Sequence, residues 1–333
     1  MTAYIAEITT AYVVVAVTCI WIIVSGSSEG DRFVDKSYRF LTIRVPSSVK
    51  HAFSLCCGRR GPQGLEDTWN YLVNYNNPII MIFYLVFINC GVLSYIYTCF
   101  PLLPNSVAAS PVHKPFSLAL DFVCLYVFTK AVRADPGVIT RRNLKSNLAR
   151  YPRDSFIFKE ETECATCKLP KPPRSKHCRL CGYCVARYDH HCVWLRTCVG
   201  AGNLKWFIAF LVTHCVLCMY GVYMSYAVLW GEVVRRDMLN AQFVTSATLE
   251  PVKVTNSLLL IYMLHEYPVP FALIVLCGLL SIMLPCFLGY HLNLIRVNMT
   301  TNETTKWSGV TDPDACNIYD RGWRANFADA LGL

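Results

Sequence analysis

Residues 164–198 read CATCKLPKPPRSKHCRLCGYCVARYDHHCVWLRTC, and the apolar run WFIAFLVTHCVLCMYGVYMSYAVLW begins eight residues later, at 206–230. A dense set of metal-ligand side chains beside a run long enough to cross a bilayer decides the fold. Seven cysteines and three histidines fall in the first stretch. Cys164 and Cys167, Cys178 and Cys181, and Cys181 and Cys184 are each separated by two residues, a gap that lets two sulfurs reach one tetrahedral zinc ion. Thiolate and imidazole donors favour zinc over calcium or magnesium. Two closed structural sites use eight of the ten donors. If each takes three cysteines and one histidine, one cysteine and one histidine are left over. A free cysteine beside a histidine is the arrangement of an activated thiolate nucleophile. The count does not say which cysteine is spare.

Composition agrees with a membrane chain. Of 333 residues, 54% are apolar and 16% charged, against about 25% charged in soluble domains. A helix crosses the hydrocarbon with about 20 apolar residues, and five stretches qualify: about 3–24, 78–100, 115–132, 206–230 and 269–294. The third contains Asp121. Trp206 and Trp230 bracket the fourth as interface anchors, and the fifth starts after Pro268 and Pro270. The run 257–264 is too short to span and reads as a lumenal or re-entrant piece. The first stretch lacks a positive n-region and outruns a signal-peptide core, so it is expected to stay as a span. The 18 cysteines are too widely scattered outside 164–198 for a disulfide framework. A cluster among isolated thiols indicates a metal site in a reducing compartment.

The expected fold is therefore an all-α multi-pass membrane protein of about five transmembrane helices. A small cytosolic zinc-stabilised cysteine-rich domain lies between spans three and four. Segment 1–24 is the N-terminal span, 25–77 a cytosolic basic loop and 78–132 a transmembrane hairpin. Segment 133–205 is the cysteine-rich domain, 206–294 holds spans four and five, and 295–333 is a cytosolic C-terminal segment. Lysine and arginine set the orientation: 25–77 carries seven, 131–205 fifteen and 295–333 four, while the opposite loops carry few. The positive-inside rule puts the N-terminus in the lumen and the cysteine-rich domain and C-terminus in the cytosol. The net charge of +9 then faces anionic lipid headgroups rather than nucleic acid. Asn298 and Asn302 match the glycosylation pattern but are expected on the cytosolic side, unmodified. Cys56-Cys57, next to basic residues, is a candidate for acylation or a pair of ordinary thiols.

The stretch resembles the DHHC-type protein S-acyltransferases, named for the tetrapeptide that stands here as Asp189-His190-His191-Cys192. Every cysteine and histidine from Cys164 to Phe207 is in register, including Lys171-Pro-Pro-Arg174-Ser-Lys-His177-Cys178 and Cys198-Val199-Gly200-Ala-Gly-Asn203. Asp135-Pro136-Gly137 follows the third span. Thr300-Thr301-Asn302-Glu303 after the fifth is similar to the family's Thr-Thr-x-Glu signature. Tyr319 to Asn326 resembles its short C-terminal motif. The extra N-terminal span resembles a five-span subgroup.

The resemblance implies two structural Zn(2+) sites, one of Cys164, Cys167, His177 and Cys184, the other of Cys178, Cys181, His191 and Cys198. It leaves Cys192 and His190. The implied activity is palmitoyl transfer: Cys192 takes the acyl group from acyl-CoA as a thioester and passes it to cysteine thiols of substrate proteins near the membrane. His190 would act as base and Asp189 would orient it. Trp194, Arg174 and Arg187 are candidates near acyl-CoA, and Trp194 is equally an interface anchor. Thr300 and Thr301 are expected to pack on the site or to cap a helix. Membrane lipids are the other expected partner, and the resemblance also implies an accessory subunit as a candidate partner, since some family members need one. The endoplasmic reticulum or Golgi is the expected location. Val193 stands where the family has Pro, and Arg196-Thr197 where it has Asn-Asn. The alternative is thus a catalytically weak or inactive membrane-anchored zinc module that binds partners.

Overall fold

Four apolar runs become helices because a bilayer leaves no other partner for their backbone N–H and C=O groups. The structure, a computed structural model, describes residues 75–332 apart from 106–109, 155, 160, 245–250 and 313–314, with isolated positions between 36 and 71. The expected first span and Cys56-Cys57 lie outside the described residues. Among those described, α1 (Ile79–Cys99), α2 (His113–Arg133), α4 (Leu204–Arg235) and α6 (Pro268–Arg296) are long and apolar enough to cross a membrane. The shortest have 21 residues, about 31 Å at 1.5 Å per residue. Exposed Phe83, Leu93, Tyr97, Phe122 and Ile282 give the bundle an apolar outer surface suited to lipid. Pro268 and Pro270 sit in the first turn of α6, where their missing N–H groups cost nothing.

The chain divides into two compact units. One comprises Met1–Tyr75 and Asp237–Glu266. Its described part holds the antiparallel pair β5 (Gln242–Val244) and β6 (Pro251–Lys253), and the short helix α5 (Asn256–Glu266) that covers the 257–264 run. The other comprises Asn76–Arg236 and Tyr267–Leu333 and contains the four long helices. In it α4 packs along α6 and α2. The short helices α3 (Leu144–Arg150), α7 (Thr301–Trp307) and α8 (Trp323–Leu331) complete it, and α8 lies against α6 and α4.

The cysteine-rich stretch between the second and third of these long helices is the part of the expected fold that is not helical. It forms two antiparallel hairpins, β1 (Lys176–Cys178) with β2 (Tyr183–Val185), and β3 (His190–Cys192) with β4 (Thr197–Val199). Ligands spaced by two residues need tight turns, which hairpins supply and a helix does not. Lys168, Gly182 and Arg196 close these turns at φ of 52°, 77° and 55°. Each stands four residues after a cysteine: Cys164, Cys178 and Cys192.

The Asp-Pro-Gly segment fastens the hairpins to α4. Asp135 Oδ1 accepts from the N–H groups of Gly137 and Val138, both at 2.8 Å. The resulting turn presents Pro136 O to Gly202 N (3.2 Å) and Gly137 O to Ala186 N (2.9 Å). A Cβ at Gly200 would lie 2.6 Å from Pro136 O, and one at Gly202 would collide with Asp135 O. Only glycine lets these backbones approach so closely. Asn203, fully buried, accepts from Gly200 N and donates to Cys198 O. It joins the last ligand strand to the first turn of α4.

Candidate active site

Two groups of cysteine and histidine donors come together, each with its ligand atoms within 4.8 Å of one another: Cys164, Cys167, His177 and Cys184, and Cys178, Cys181, His191 and Cys198. From His177 Nδ1 the three sulfurs lie at 3.4, 3.3 and 3.7 Å. From His191 Nδ1 they lie at 3.6, 3.3 and 3.7 Å. A tetrahedral zinc with ordinary Zn–S and Zn–N bonds has S···N edges of about 3.6 Å, so these distances are the edges of ligand tetrahedra. The hairpin register explains them. His177 pairs with Cys184, and His191 with Cys198, which puts histidine and cysteine on one face of each ribbon. Each group therefore fits a metal ion, and Cys192 belongs to neither.

The hairpins also expose a signal that counting donors missed. The stretch repeats every 14 residues. Cys164, Cys178 and Cys192 are equivalent, as are Cys167, Cys181 and Leu195, then His177 and His191, then Cys184 and Cys198. Each Cys-x-x-Cys turn is completed by the histidine and cysteine of the hairpin that follows it. The third turn has Leu195 in place of its second cysteine, and the chain enters α4 instead of forming a third hairpin. Read from the sequence, this periodicity singles out Cys192 as the spare cysteine.

Cys192, 6% exposed, packs with Leu195, Val199, Leu204 and Phe207 at the start of α4. His190 Nδ1 meets Asp189 Oδ2 at 2.6 Å. Burial disfavours a charge on His190, but the Asp189 carboxylate, followed by the nearby Cys192, outweighs it and pushes the imidazole up to about 9. Burial also opposes charge on Asp189. The His190 bond and the Thr301 N–H overcome that and hold its carboxyl below the ordinary carboxylate range. Thr301 gives Asp189 two bonds, N to Oδ1 at 2.7 Å and Oγ1 to Oδ2 at 3.2 Å. Thr300 takes the other expected role, accepting from Glu303 N in a reciprocal capping box at the start of α7. A residue not singled out in the sequence, His291 of α6, completes the surroundings, with Nδ1 3.9 Å from Asp189 Oδ2. The available signal was an ionisable side chain inside an apolar span.

Arg174 and Arg187, expected near acyl-CoA, are turned inward instead. Arg174 is fully buried. Its Nε and Nη2 reach the two Glu303 oxygens at 2.7 and 2.8 Å, and Nη1 and Nη2 reach Asn298 at 2.9 Å. Tyr151 and Tyr319 flank its guanidinium at 4.9 and 4.5 Å. Arg187, 2% exposed, donates to Asn298 and faces Asp329 of α8 at 3.6 Å. Arg174, Arg187, Asn298, Glu303 and Asp329 thus form one largely buried ionic joint linking the cysteine-rich stretch, α7 and the C-terminal segment. Asn326 adds to it by donating to Arg296 O and Asp320 and accepting from Arg321 N. Asn298, 1% exposed, donates to Tyr319 O, so burial already shields it from a glycan.

Exposed side chains stand at the other edges. Trp194 is 47% and Val193 37% exposed at the tip of β3–β4. Arg153, Lys159, Lys171, Lys176 and Lys306 line a cleft of about 530 Å³ beside His177. Burial, then the like charge of Lys176, holds the Lys306 ammonium below the ordinary lysine value. Between the spans runs an apolar cleft whose lining includes Ile88, Tyr95, Ser117, Cys218, Leu276 and Leu280.

The family model of the DHHC palmitoyltransferase domain matches residues 157–308. Curated relatives extend the similarity along the chain. "Palmitoyltransferase swf1" of Schizosaccharomyces pombe is 28% identical over 300 residues, 90% of this chain and 79% of that protein. "Palmitoyltransferase ZDHHC4" of Mus musculus is 33% identical, over 64% of this chain and 67% of that protein. "Palmitoyltransferase SWF1" of Neurospora crassa is 32% identical, over 87% of this chain and 68% of that protein.

Proposed function

This chain belongs to the DHHC palmitoyltransferase family, and on that premise we propose that Cys192 is the residue that carries the acyl group. The chain is a protein S-palmitoyltransferase. The observation that carries the assignment is the position of Cys192, outside both metal groups and two residues along β3 from His190, on the same face of the strand, with His190 Nδ1 resting on Asp189.

In the first half-reaction the Cys192 sulfur attacks the thioester carbonyl of acyl-CoA as His190 takes its proton. The carbonyl carbon–sulfur bond to coenzyme A breaks, and the leaving thiolate recovers the proton from His190. In the second, His190 takes the proton of a substrate cysteine, whose sulfur attacks the Cys192 thioester. Cys192 leaves as thiolate and is reprotonated. Asp189, pinned by Thr301, keeps the imidazole in one tautomer and stabilises its cation in both steps. Zinc held by Cys164, Cys167, His177 and Cys184 and by Cys178, Cys181, His191 and Cys198 would supply folding energy to a segment with few large apolar residues.

The setting supports an acyl-CoA donor. The cations of the cleft beside His177 suit its phosphates, and the apolar cleft between the spans suits its tail, at about 0.8 kcal/mol per buried CH₂. Lys130 and Arg133 at the end of α2, Lys205 at the start of α4 and Arg296 at the end of α6 stand at the cluster end of the bundle. Under the positive-inside rule that end is cytosolic. The remaining domain plan, with a lumenal N-terminus, an endoplasmic reticulum or Golgi membrane and protein substrates with membrane-proximal cysteines, follows from the same reading. Nothing in the site favours an inactive binding module: Val193 lies outside the strand pairing and Arg196 closes the required turn.

The test is incubation of purified protein with labelled palmitoyl-CoA. A hydroxylamine-labile label is expected on wild type and not on Cys192→Ser, with zinc content equal in both. Full labelling of Cys192→Ser would overturn the assignment.

A further inference from the structure

We propose that His291 is a positioning residue that, with one bridging water, holds the Asp189 carboxylate toward His190. The proposal rests on the assignment of Asp189, His190 and Cys192 above. His291 sits near the end of α6 and is 3% exposed. Its ring is wedged among Phe207, Phe287 and Tyr290 at centroid distances of 4.9, 4.6 and 5.3 Å, with interplanar angles of 79°, 89° and 78°. Three edge-to-face contacts leave the imidazole little freedom to turn. Burying so polar a ring among aromatics is costly unless a polar group meets it. The group it faces is Asp189, with Nδ1 3.9 Å from Oδ2. The His190 ring lies 5.7 Å away.

A separation of 3.9 Å is too long for a direct hydrogen bond and suits a bridging water. Arg187, Asp189, His291 and Thr300 line a void of about 10 Å³, about the minimum that holds one water. Arg187 Nε is buried and has no hydrogen-bond partner among the described residues. A water there can accept from Arg187 Nε and join His291 to Asp189.

The carboxylate needs such a restraint. His190 alternates between neutral and cationic in each half-reaction, so its pull on Asp189 Oδ2 rises and falls. Thr301 holds the carboxylate from α7. His291 restrains it from the span, at Oδ2, the oxygen that also meets His190 and Thr301 Oγ1. The dyad is thereby set by the membrane helix as well as by the hairpin that bears it.

The test is single-turnover acyl-enzyme formation with labelled palmitoyl-CoA, on the full chain in detergent, for wild type, Cys192→Ser, His291→Phe and His291→Asn. His291→Phe should slow acylation at saturating donor by about 10- to 100-fold, as displaced catalytic groups do. The donor concentration giving half-maximal rate and the two zinc ions per chain should be unchanged. Asn offers a polar atom near the Nδ1 position and should restore the rate to within about threefold of wild type if polar contact, not ring volume, matters. Wild-type rate in His291→Phe, equal slowing in both variants, or a loss recovered at high donor concentration would each overturn the proposal. Should His291→Phe fail to fold, the Asn rate decides: a loss of about tenfold or more sinks the idea. Label retained on Cys192→Ser would instead sink the assignment beneath it.

Discussion

The hairpins β1–β2 and β3–β4 have the same length, the same pairing register and a histidine–cysteine pair at equivalent positions on the first strand, yet that cysteine has opposite surroundings in the two. Cys178 lies in the second metal group, with Cys181, His191 and Cys198. Cys192, fourteen residues on, lies in neither and packs against Leu195 and the start of α4. The difference comes from the residues C-terminal to each cysteine. After Cys178 the chain supplies Cys181 and another hairpin; after Cys192 it supplies Leu195 and a membrane helix. One strand pattern thus yields a metal ligand where donors continue, and a free thiol beside a histidine where they stop.

The sharpest way to break this comparison is to make the same change in both hairpins. Cys178→Ser should lose about one zinc per chain and much of the roughly 10–16 kcal/mol that structural zinc lends small modules. Cys192→Ser should keep both ions and the melting temperature while losing the acyl label. Metal analysis with thermal unfolding in detergent checks both. If the two variants behave alike, the hairpins do not differ as argued.

Asp189→Asn, in the second hairpin alone, should lower acyl transfer by about 10²- to 10⁴-fold, the range typical of general acid–base groups. Zinc content and fold should be retained, because Thr301 still meets an oxygen. The aligned position in the first hairpin, Ser175, donates to Pro172 O at 2.6 Å. Ser175→Ala should cost only about 1 kcal/mol of stability and little rate. Kinetics and melting curves of the pair measure the contrast.

The cations flanking the first hairpin are proposed to meet the acyl donor rather than the reacting atoms. Lys171→Ala with Lys306→Ala should raise the KM for acyl-CoA by about tenfold, roughly 1.4 kcal/mol, and leave kcat nearly unchanged. A purely structural role for this cleft would instead appear as a lower melting temperature with KM unaltered.

The smallest effect lies in the turns. Gly182 and Arg196 hold equivalent left-handed positions. A Cβ at Gly182 meets nothing within 4 Å, so Gly182→Ala carries only the conformational cost, about 1 kcal/mol. Arg196→Gly should gain up to about 1 kcal/mol by removing the same cost. Opposite shifts in melting temperature would support the equivalence; shifts of one sign would break it.

Much of this was legible before any coordinates. Each apolar run is its own signal, since no other local structure satisfies a backbone in hydrocarbon, and α1, α2, α4 and α6 lie close to the expected bounds. The donors that the family resemblance implied for two metal ions are the ones the hairpins bring together. The joint between motifs was harder to read. Arg174 and Arg187 look like surface cations in a basic stretch, and only the approach of Glu303, Asn298 and Asp329, more than 110 residues away, turns them inward. His291 was hidden for a related reason: a lone histidine in an apolar helix has no local partner to give it a role.

Sequence alone identified the four described runs long and apolar enough to cross a membrane and which side chains can hold metal, because both depend on composition and spacing within a few turns of chain. Tertiary structure decided which arginines are buried, what meets Asp189 and what lies beside Cys192. Those contacts join segments far apart in the chain, and a buried charge or thiol takes its character from the groups around it rather than from its neighbours in sequence.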